Sequence, residues 1–349
     1  MTIQELLWQA GEQHASDLHL SAGMPPVVRV NGELETLSGY PILWPEDIER
    51  LALPMLTSER QAVIAKRGDA DFSFSLPGGR FRVNAYRQRG SLGLAVRLLA
   101  QDIPTLEHLG MPESLKALAK KQWGLVLVTG PTGCGKSTTL AAMVNHINQT
   151  RRAHIITIED PVEYLHKHSR SIISQREIGV DALSFSSALR AALREDPNVI
   201  LVGEMRDVET VSAAVTAAET GHLVLSTLHT SGAADTVNRI IDVFPPHQQQ
   251  QIRIQTASIL KGVITQQLVP AVNGGGRVAA LEIMLATDAI ASLIREGKTH
   301  QINTCIQTGA SVGMQSMDYH LAQLLKAGII TKETAFGRTM DAETLKRYL

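Results

Sequence analysis

One short stretch limits the fold of this 349-residue chain more than any other, because a glycine-rich turn joins a strand pattern to a helix pattern. The apolar segment GLVLVT at 124–129 runs into GPTGCGKS at 130–137, which opens a helix pattern, STTLAAMVNHI, at 137–147. The turn fits G-x-x-x-x-G-K-[ST] in the strand-turn-helix context that a phosphate-binding P-loop requires. The stretch therefore predicts a P-loop nucleotide site, which a kinase, a transporter, a DNA translocase or a protein motor can each use.

The residues of this loop have separable predicted roles. Gly133 and Gly135 let backbone amides turn inward around the β-phosphate, helped by the positive end of the following helix. Lys136 can reach the β and γ phosphates, and Ser137 can ligate Mg²⁺. ATP and Mg²⁺ are therefore the predicted ligands. The predicted nucleotide-binding residues here are Gly130, Pro131, Thr132, Gly133, Cys134, Gly135, Lys136, Ser137 and Thr138.

Composition narrows the function classes. The chain has 33 basic and 34 acidic residues and a net charge of −1, without the clustered Lys and Arg that tight nucleic-acid binding needs, so no nucleic-acid partner is expected. Its two cysteines, Cys134 and Cys305, exclude a disulfide framework and a four-cysteine zinc site. The apolar runs are far shorter than the roughly 20 residues that span a bilayer, and the N-terminus lacks a signal-peptide pattern. We expect a cytoplasmic protein that is not inserted in a membrane.

The first part of the chain predicts a small α+β domain over residues 1–100. An amphipathic helix pattern covers residues 2–14, and alternating strand patterns follow, with Asn31-Gly32 as a hairpin turn. A helical pattern near 45–67 and a second strand-rich stretch complete it. Residues 101–120, which contain two prolines, are predicted to be a linker with an entry helix.

The second part, residues 121–349, predicts an α/β domain. Short, continuously apolar strand patterns alternate with helical ones: GLVLVTG, HIITIED, NVILVGEM and HLVLSTL. Such runs are typical of strands buried on both faces, hence of a mostly parallel sheet flanked by helices. The part after about Ala233 is predicted to be largely helical.

Two acidic motifs supply candidate catalytic groups. Glu204 follows the strand pattern of NVILVGEMRD, where it can hold a magnesium-bound water or polarise the attacking water. TIEDPVEY places Glu159, Asp160 and Glu163 after another strand, where open α/β sheets bind ligands. Glu163 is the predicted general base, and Glu159 or Asp160 is predicted to be structural. A surface glutamate and a solvated acidic turn are the alternatives.

Two histidines flank the strand pattern of TGHLVLSTLHT, with His222 before it and His229 after it. Their spacing across a strand is unsuited to a compact metal pair. His229 is predicted to sense the γ-phosphate through a hydrogen bond from its imidazole, and His222 is predicted to be a nucleotide-binding residue. A histidine of the core or surface is the alternative for each.

Taken in order, GPTGCGKST, TIEDPVEY, ALREDPNVILVGEMRD and TAAETGHLVLSTLHT resemble the Walker A, Asp, Walker B and His boxes of the secretion ATPase superfamily, which drives type II secretion and type IV pili. The flanking stretches ASDLHLSAGMPPVVRVNGEL, FRVNAYRQRG, GGGRVAALEIM and IQTGASVGMQSMDYHL are similar to its pilus-retraction branch. The larger assembly ATPases carry an extra N-terminal region and a four-cysteine zinc insertion, which this sequence lacks. The resemblance therefore favours retraction, the motion behind twitching motility, over extension.

The resemblance implies a RecA-like P-loop ATPase core preceded by a PAS-like domain, assembled as a homohexamer with ATP between neighbouring subunits. It implies a place at the cytoplasmic face of the inner membrane, at the pilus base, with a platform protein and other pilus motor ATPases as partners. Arg82 in FRVN and Arg97 in AVRLL match arginines that approach the phosphates, in the role of arginine fingers. An accessory retraction paralogue, an assembly or type II secretion ATPase and a DNA-translocating RecA-like ATPase are the alternatives.

Two departures from the family pattern are visible. Cys134 stands where the family commonly has Ser, and we expect ATP binding to survive this change, with possible sensitivity to thiol reagents. The retraction motif AIRNLIRE is AIASLIRE here, with Ala291 and Ser292 in place of Arg and Asn. The apolar spacing of that segment is also that of an ordinary core helix.

Overall fold

The structure, a computed structural model, describes residues 1–30, 32–77, 79–99, 102–274 and 276–349. The chain forms two units: Met1–Asp102 with the short segment Pro161–Leu165, and Ile103–Asp160 with His166–Leu349. Most of the predicted linker, from Ile103 onward, thus belongs to the second unit. Asn31 of the predicted hairpin turn, and Ala100 and Gln101 at the predicted domain boundary, lie outside the described residues.

The N-terminal unit is built on an antiparallel sheet. Its strands are β1 Asp17–Leu20, β2 Val27–Val30, β3 Glu33–Thr36, β4 Asp69–Leu76, β5 Gly79–Gln88 and β6 Ser91–Leu99. Its helices are α1 Ile3–Glu12, α2 Pro45–Ala52 and α3 Ser58–Arg67. The strand order is β3-β2-β1-β6-β5-β4. The predicted first helix is confirmed, with Thr2 and Glu5 forming a capping box at its start.

The two faces of this sheet differ in chemistry. Along β5, Phe81, Val83 and Ala85 are buried and join a core that includes residues of α1 and α2, while the residues between them are less buried. The other face carries Arg29, Asp17, Arg97 and Arg82 in a row across β2, β1, β6 and β5. Asp71 of β4 shares this side because it pairs in register with Asn84, two residues beyond Arg82. We call these five residues and their side of the sheet the open face.

The C-terminal unit is built on a mostly parallel sheet. Its strands are β7 Gly124–Thr129, β8 His154–Glu159, β9 Ile172–Glu177, β10 Val199–Val202, β11 Leu223–Leu228, β12 Leu260–Pro270 and β13 Arg277–Leu285. Its helices are α4 Glu113–Ala119, α5 Lys136–Thr150, α6 Phe185–Ala192, α7 Val208–Glu219, α8 Ala233–Asp242, α9 Pro246–Ile259, α10 Asp288–Arg295, α11 Ile302–Thr308, α12 Met317–Lys326, α13 Lys332–Arg338 and α14 Ala342–Tyr348. The order is β13-β12-β7-β11-β10-β8-β9, and only β12 and β13 pair antiparallel.

Helices cover both faces of this second sheet. Every residue of β7, β10 and β11 is buried. Alternate side chains of β7 enter different cores: Leu125 and Leu127 join residues of α6 and α7, whereas Val126 and Val128 join residues of α4 and α5. The predicted α/β fold with a parallel sheet is therefore confirmed. Because both faces are occupied, functional groups can reach a ligand only at the strand ends.

The prediction for the part after Ala233 was incomplete, because it missed β12 and β13. The chain passes from α9 into β12 without a turn, since Leu260 ends the helix in an extended conformation. The β-branched run Val263, Ile264 and Thr265 favours a strand and was the available signal. In the AIASLIRE segment, which forms most of α10, Ile290 and Ile294 are fully buried, as an ordinary core helix requires.

No helix within the described ranges of the chain is both long enough and apolar enough to cross a bilayer.

Candidate active site

The P-loop occupies residues 130–135, between the end of β7 and the start of α5. Gly130 passes so close to β12 that a Cβ there would lie 2.2 Å from the carbonyl oxygen of Gln266, so only glycine fits. Gly135, at φ +87°, immediately precedes α5 in a left-handed conformation. These positions wrap the backbone around the N-terminus of a 15-residue helix, which suits a bound phosphate.

Lys136 is the first residue of α5 and is 8% exposed. Its Nζ donates hydrogen bonds to the carbonyl oxygens of Gly130 at 2.9 Å and Pro131 at 3.0 Å. The ammonium group therefore lies inside the loop that it is predicted to serve. It adds a full positive charge to the partial charge of the helix N-terminus, and the two together fit a polyphosphate.

Glu204 and His229 follow neighbouring parallel strands, β10 and β11, and the structure brings them together. Glu204 Oε2 lies 3.7 Å from His229 Nε2, and His229 Nδ1 lies 3.5 Å from Lys136 Nζ. Lys136, His229 and Glu204 thus form a continuous polar line at the carboxyl ends of β7, β11 and β10. Parallel pairing explains the meeting, since it places these ends at one edge of the sheet.

Burial lowers the pKa of His229, and the Lys136 ammonium lowers it further, while Glu204 opposes both effects. The imidazole is therefore neutral at neutral pH. Because Lys136 has only protons to donate, Nδ1 accepts, and the ring proton belongs on Nε2, which faces Glu204. A neutral imidazole in this tautomer accepts from Lys136 at Nδ1 and directs its N–H toward Glu204 at Nε2. A movement of Lys136 can therefore alter the contact with Glu204 through the ring.

The residues predicted to hold Mg²⁺ fit a site completed by phosphate. Ser137 is exposed in the first turn of α5, and the Glu204 side chain is 24% exposed. In the described part of the chain, no group of three or more His, Cys, Asp or Glu could hold a metal alone. Mg²⁺ usually takes one or two protein oxygens together with substrate phosphates and water, and Ser137 with Glu204 matches that pattern.

His222 lies at the other end of β11 from His229. The His222 carbonyl accepts from Gly124 N, at the start of β7, at 3.0 Å, and its Nδ1 lies 2.9 Å from the Ala217 carbonyl oxygen. This is the amino edge of the parallel sheet, whereas the P-loop follows the carboxyl end of β7. The prediction that His222 binds nucleotide is therefore corrected, because a whole strand separates it from the loop in its own unit.

The three acidic residues of TIEDPVEY are divided between the units. Glu159 ends β8, and its Oε1 accepts hydrogen bonds from Thr157 Oγ1 at 2.6 Å and Gln175 Nε2 at 3.3 Å. Glu163 belongs to Pro161–Leu165, which is part of the N-terminal unit. There the neighbouring Val162 carbonyl accepts from Arg80 Nε at 3.0 Å. Glu163 thus lies in a different unit from the P-loop, and its role as general base stays a prediction.

Arg82 and Arg97 are directly opposite each other across β5 and β6 on the open face. Arg82 pairs with Asp71, and Arg97 Nε lies 3.0 Å from Asp17 Oδ1. The structure therefore brings the two predicted arginine fingers together, each held by a carboxylate of a neighbouring strand.

Sequence reasoning missed two residues at the P-loop edge. Arg206 Nε donates to Glu204 Oε1 at 2.8 Å, and its place in the GEMRD motif was the available signal. Gln266 donates from Nε2 to the Cys134 carbonyl at 2.6 Å, and a glutamine directly after the β-branched run at 263–265 was the signal for it. Cys134 itself is 3% exposed, and burial raises the pKa of its thiol, so the expected sensitivity to thiol reagents has little physical support.

Comparisons with known proteins agree with this arrangement. Residues 2–323 match the family described as Type II/IV secretion system protein. The chain is 48% identical to the Type IV pilus retractation ATPase PilT of Pseudomonas aeruginosa over 96% of this chain and 97% of that protein. It is 42% identical to the Type IV pilus ATPase PilU of the same organism over 99% and 91%. A crystal structure of the pilus retraction motor PilT with bound ADP superposes with a TM-score of 0.93 at 49% identity, covering 99% of each chain.

Proposed function

This chain belongs to the Type II/IV secretion system protein family, and from that membership we propose that it is an ATP-hydrolysing motor that powers type IV pilus retraction. Its C-terminal unit is a RecA-like P-loop core. The observation that carries the proposal is the line from Lys136 through His229 to Glu204 at the carboxyl edge of the parallel sheet. A cation for phosphate and a carboxylate for water or metal stand there on either side of a neutral imidazole.

The loop residues bind the phosphates of ATP. Backbone N–H groups of the loop after Pro131 and the N-terminus of α5 face the β-phosphate, and Lys136 exchanges its bonds to the Gly130 and Pro131 carbonyls for phosphate oxygens. Ser137 would hold Mg²⁺ directly and Glu204 would hold it through a bound water, and the ion would supply positive charge against the phosphate oxygens. Glu163 is proposed as the base that orients the attacking water.

His229 reports the γ-phosphate. Its Nδ1 touches Lys136, so a phosphate that draws Lys136 away frees that nitrogen. The opposite nitrogen faces Glu204, which also holds Arg206. When the γ-phosphate leaves after hydrolysis, Lys136 returns to His229 Nδ1, and the imidazole changes its contact with Glu204. Local changes of this kind switch a motor between states.

The motor is proposed to be a homohexamer at the cytoplasmic face of the inner membrane, where it acts on a pilus platform protein alongside other pilus motors. Arg82 and Arg97 reach the nucleotide of a neighbouring copy as arginine fingers. Their shared position on the open face supports this, because exposed guanidinium groups on adjacent strands can meet one polyphosphate together. Each must then leave its carboxylate, Asp71 or Asp17.

Steady-state ATP hydrolysis by the purified chain tests the chemistry. Lys136→Ala and Glu204→Gln should each lower kcat/KM at least about a hundredfold, because each removes a group placed at the transferred phosphate or its water. Circular dichroism and the thermal midpoint should stay near those of the wild type. Hydrolysis close to the wild-type rate by either folded variant would sink the assignment.

The two histidines that flank β11, His222 and His229, form a matched pair of positions for testing the sensor. His229→Ala should reduce turnover, since it breaks the line between Lys136 and Glu204. His222→Ala, at the opposite end of the same strand, should leave turnover near the wild-type rate. Equal losses in the two variants would show that the histidines matter to the strand and not to the phosphate.

An accessory retraction motor is a second candidate, because the chain is similar to two type IV pilus ATPases of one organism, PilT and PilU. A deletion strain separates the possibilities. Deletion of a principal retraction motor leaves excess pili and no twitching, and expression of this chain alone then reverses both defects. An accessory motor reverses them only when a second motor is also present. Deletion of an assembly ATPase instead leaves the strain without pili.

A further inference from the structure

Gln266 is a buried amide beside the P-loop. It lies on β12, which pairs parallel to β7, and it is 2% exposed. The register joins Thr265 to Thr129, the last residue of β7, so Gln266 stands one position past the end of that strand, next to the loop. On one side Gln266 pairs with Leu281 of β13, and on the other side it faces the turn that follows β7 instead of a strand.

Both ends of the amide bind the P-loop segment. Nε2 donates to the Cys134 carbonyl at 2.6 Å, and Oε1 accepts from Thr139 Oγ1 at 2.7 Å. The first partner precedes Lys136 and Ser137, and the second follows them. This buried amide has one favourable orientation, since turning it over would place its oxygen against the Cys134 carbonyl oxygen, acceptor against acceptor.

The bond to the Cys134 carbonyl has a consequence on the other side of the same peptide. In a trans peptide the carbonyl of one residue and the N–H of the next point in opposite directions. Gln266 therefore turns the Gly135 N–H away from β12. Gly135 adopts φ +87° at the start of α5, so this amide is one of those that the loop can offer to an anion.

We propose that Gln266 is a positioning residue of the P-loop, which holds the Cys134–Gly135 peptide in the orientation that receives phosphate. The inference rests on the proposed function, because it concerns how the same loop binds nucleotide. Because Gln266 orients the loop backbone and does not itself contact the nucleotide, it should affect the binding of ADP and ATP equally. Its loss weakens nucleotide binding more than it slows the step that follows, so KM rises while kcat at saturation is largely kept.

The test compares Gln266→Met with Gln267→Met. Methionine keeps the length of the side chain and removes both hydrogen bonds, and Gln267, the next residue of β12, points to the other side of the strand. Titration calorimetry with Mg-ADP and steady-state kinetics with Mg-ATP supply the readouts. Gln266→Met should raise the Kd for ADP and the KM for ATP by about tenfold or more, as the loss of a buried hydrogen-bond pair implies, with kcat within about threefold of the wild type. Gln267→Met should change each by less than about twofold.

Thr139 provides a second pair of variants that keeps Gln266 in place. Thr139→Ser retains the hydroxyl that donates to Gln266 and should bind ADP like the wild type, whereas Thr139→Val removes it and should bind ADP more weakly. In the double variant Gln266→Met with Thr139→Val, the Kd should match that of Gln266→Met alone, because the two groups act as a unit.

Unchanged Kd and KM in Gln266→Met, even with a lowered thermal midpoint, would overturn the inference and leave a merely structural role. Additive losses in the double variant would do the same. If Gln266→Met does not fold, equal Kd values for Thr139→Ser and Thr139→Val overturn it. A wild-type chain that neither binds ADP nor hydrolyses ATP would instead defeat the proposed function, so the two failures are distinguishable.

Discussion

The two sheets of this molecule bury their side chains by opposite rules. In β5 of the N-terminal unit, buried residues alternate with partly exposed ones, whereas β7, β10 and β11 of the C-terminal unit are buried at every position. An antiparallel sheet with one open face can carry charged groups in mid-strand, as at Arg82 and Arg97. The strands β7, β10 and β11, which are covered on both faces, contain no charged residue. The functional groups of this sheet, Lys136, Glu204 and His229, all follow strand ends.

The charges of the two units differ in the same way. On the open face, Arg97 and Asp17 form a pair with side-chain exposures of 62% and 15%. Inside the C-terminal unit, burial raises the pKa of Glu282, whose Oε1 accepts from Ala233 N at 2.8 Å. Exposed pairs contribute little to stability and are free to exchange partners, while buried polar groups are fixed by the bonds they make.

The largest effect that separates the two sheets is expected from single carboxylates placed at adjacent positions. Val224→Asp and Leu225→Asp, both in β11, should each lower the free energy of unfolding by more than about 4 kcal/mol, because either position buries the new charge. In β6, Leu94→Asp should be comparably damaging, but Ala95→Asp should cost about 1 kcal/mol or less, since Ala95 is partly exposed. Urea unfolding followed by circular dichroism measures all four.

That comparison can fail in two informative ways. If Ala95→Asp is as damaging as Leu94→Asp, the open face is covered in solution. If one of the two β11 variants is tolerated, the parallel sheet has a wet face that the structure does not show.

An intermediate effect is expected from His320, which reports how strictly the C-terminal unit excludes charge. Its Nδ1 accepts a hydrogen bond from Leu281 N at 2.9 Å, and burial lowers its pKa from 6.5 to about 4. The unfolded chain therefore binds a proton that the folded chain refuses between pH 6.5 and about 4. The contribution of neutral His320 to the free energy of unfolding is fully present above pH 6.5. It is lost as the pH falls toward 4, by up to about 3 kcal/mol.

His320→Phe should flatten the pH dependence of the free energy of unfolding in that window, although it lowers the value at pH 8 because Leu281 N loses its acceptor. Chemical unfolding at pH 8, 6, 5 and 4 measures the slope. His300→Phe, at an exposed position of the same unit, serves as the control. Parallel curves for His320→Phe and the wild type would contradict the buried neutral imidazole.

The sequence was most informative where a function depends on a local pattern. The strand-turn-helix pattern at 124–147 predicted the P-loop, and parallel pairing then required Glu204 and His229 to meet at its edge. The same rule places His222 at the far edge, so its corrected role follows from the strand direction alone. In these cases one short segment, or one register, decides the geometry.

Contacts between distant segments could not be predicted in this way. Gln266 and Cys134 are 132 positions apart, and their hydrogen bond depends on β12 lying beside β7, a pairing that no local pattern encodes. The inclusion of Pro161–Leu165 in the N-terminal unit is a second case, since the chain leaves one unit for five residues and returns. Tertiary packing decides both, and periodicity is silent about it.

The smallest effect on stability is expected on the open face, and it sharpens the comparison because the effect on activity should be large. Arg97→Ala removes a pair that is mostly exposed on the arginine side, so the free energy of unfolding should change by less than about 1 kcal/mol, and by less still in 1 M salt. If Arg97 is an arginine finger, ATP turnover by the assembled protein should nevertheless fall by at least about a hundredfold. Lys66→Ala, at an exposed end of α3 in the same unit, is the control for loss of one positive charge. A loss of more than about 2 kcal/mol, twice the upper value for an exposed pair, would instead assign Arg97 to the structure of the sheet. Unchanged turnover would remove Arg97 from the reaction.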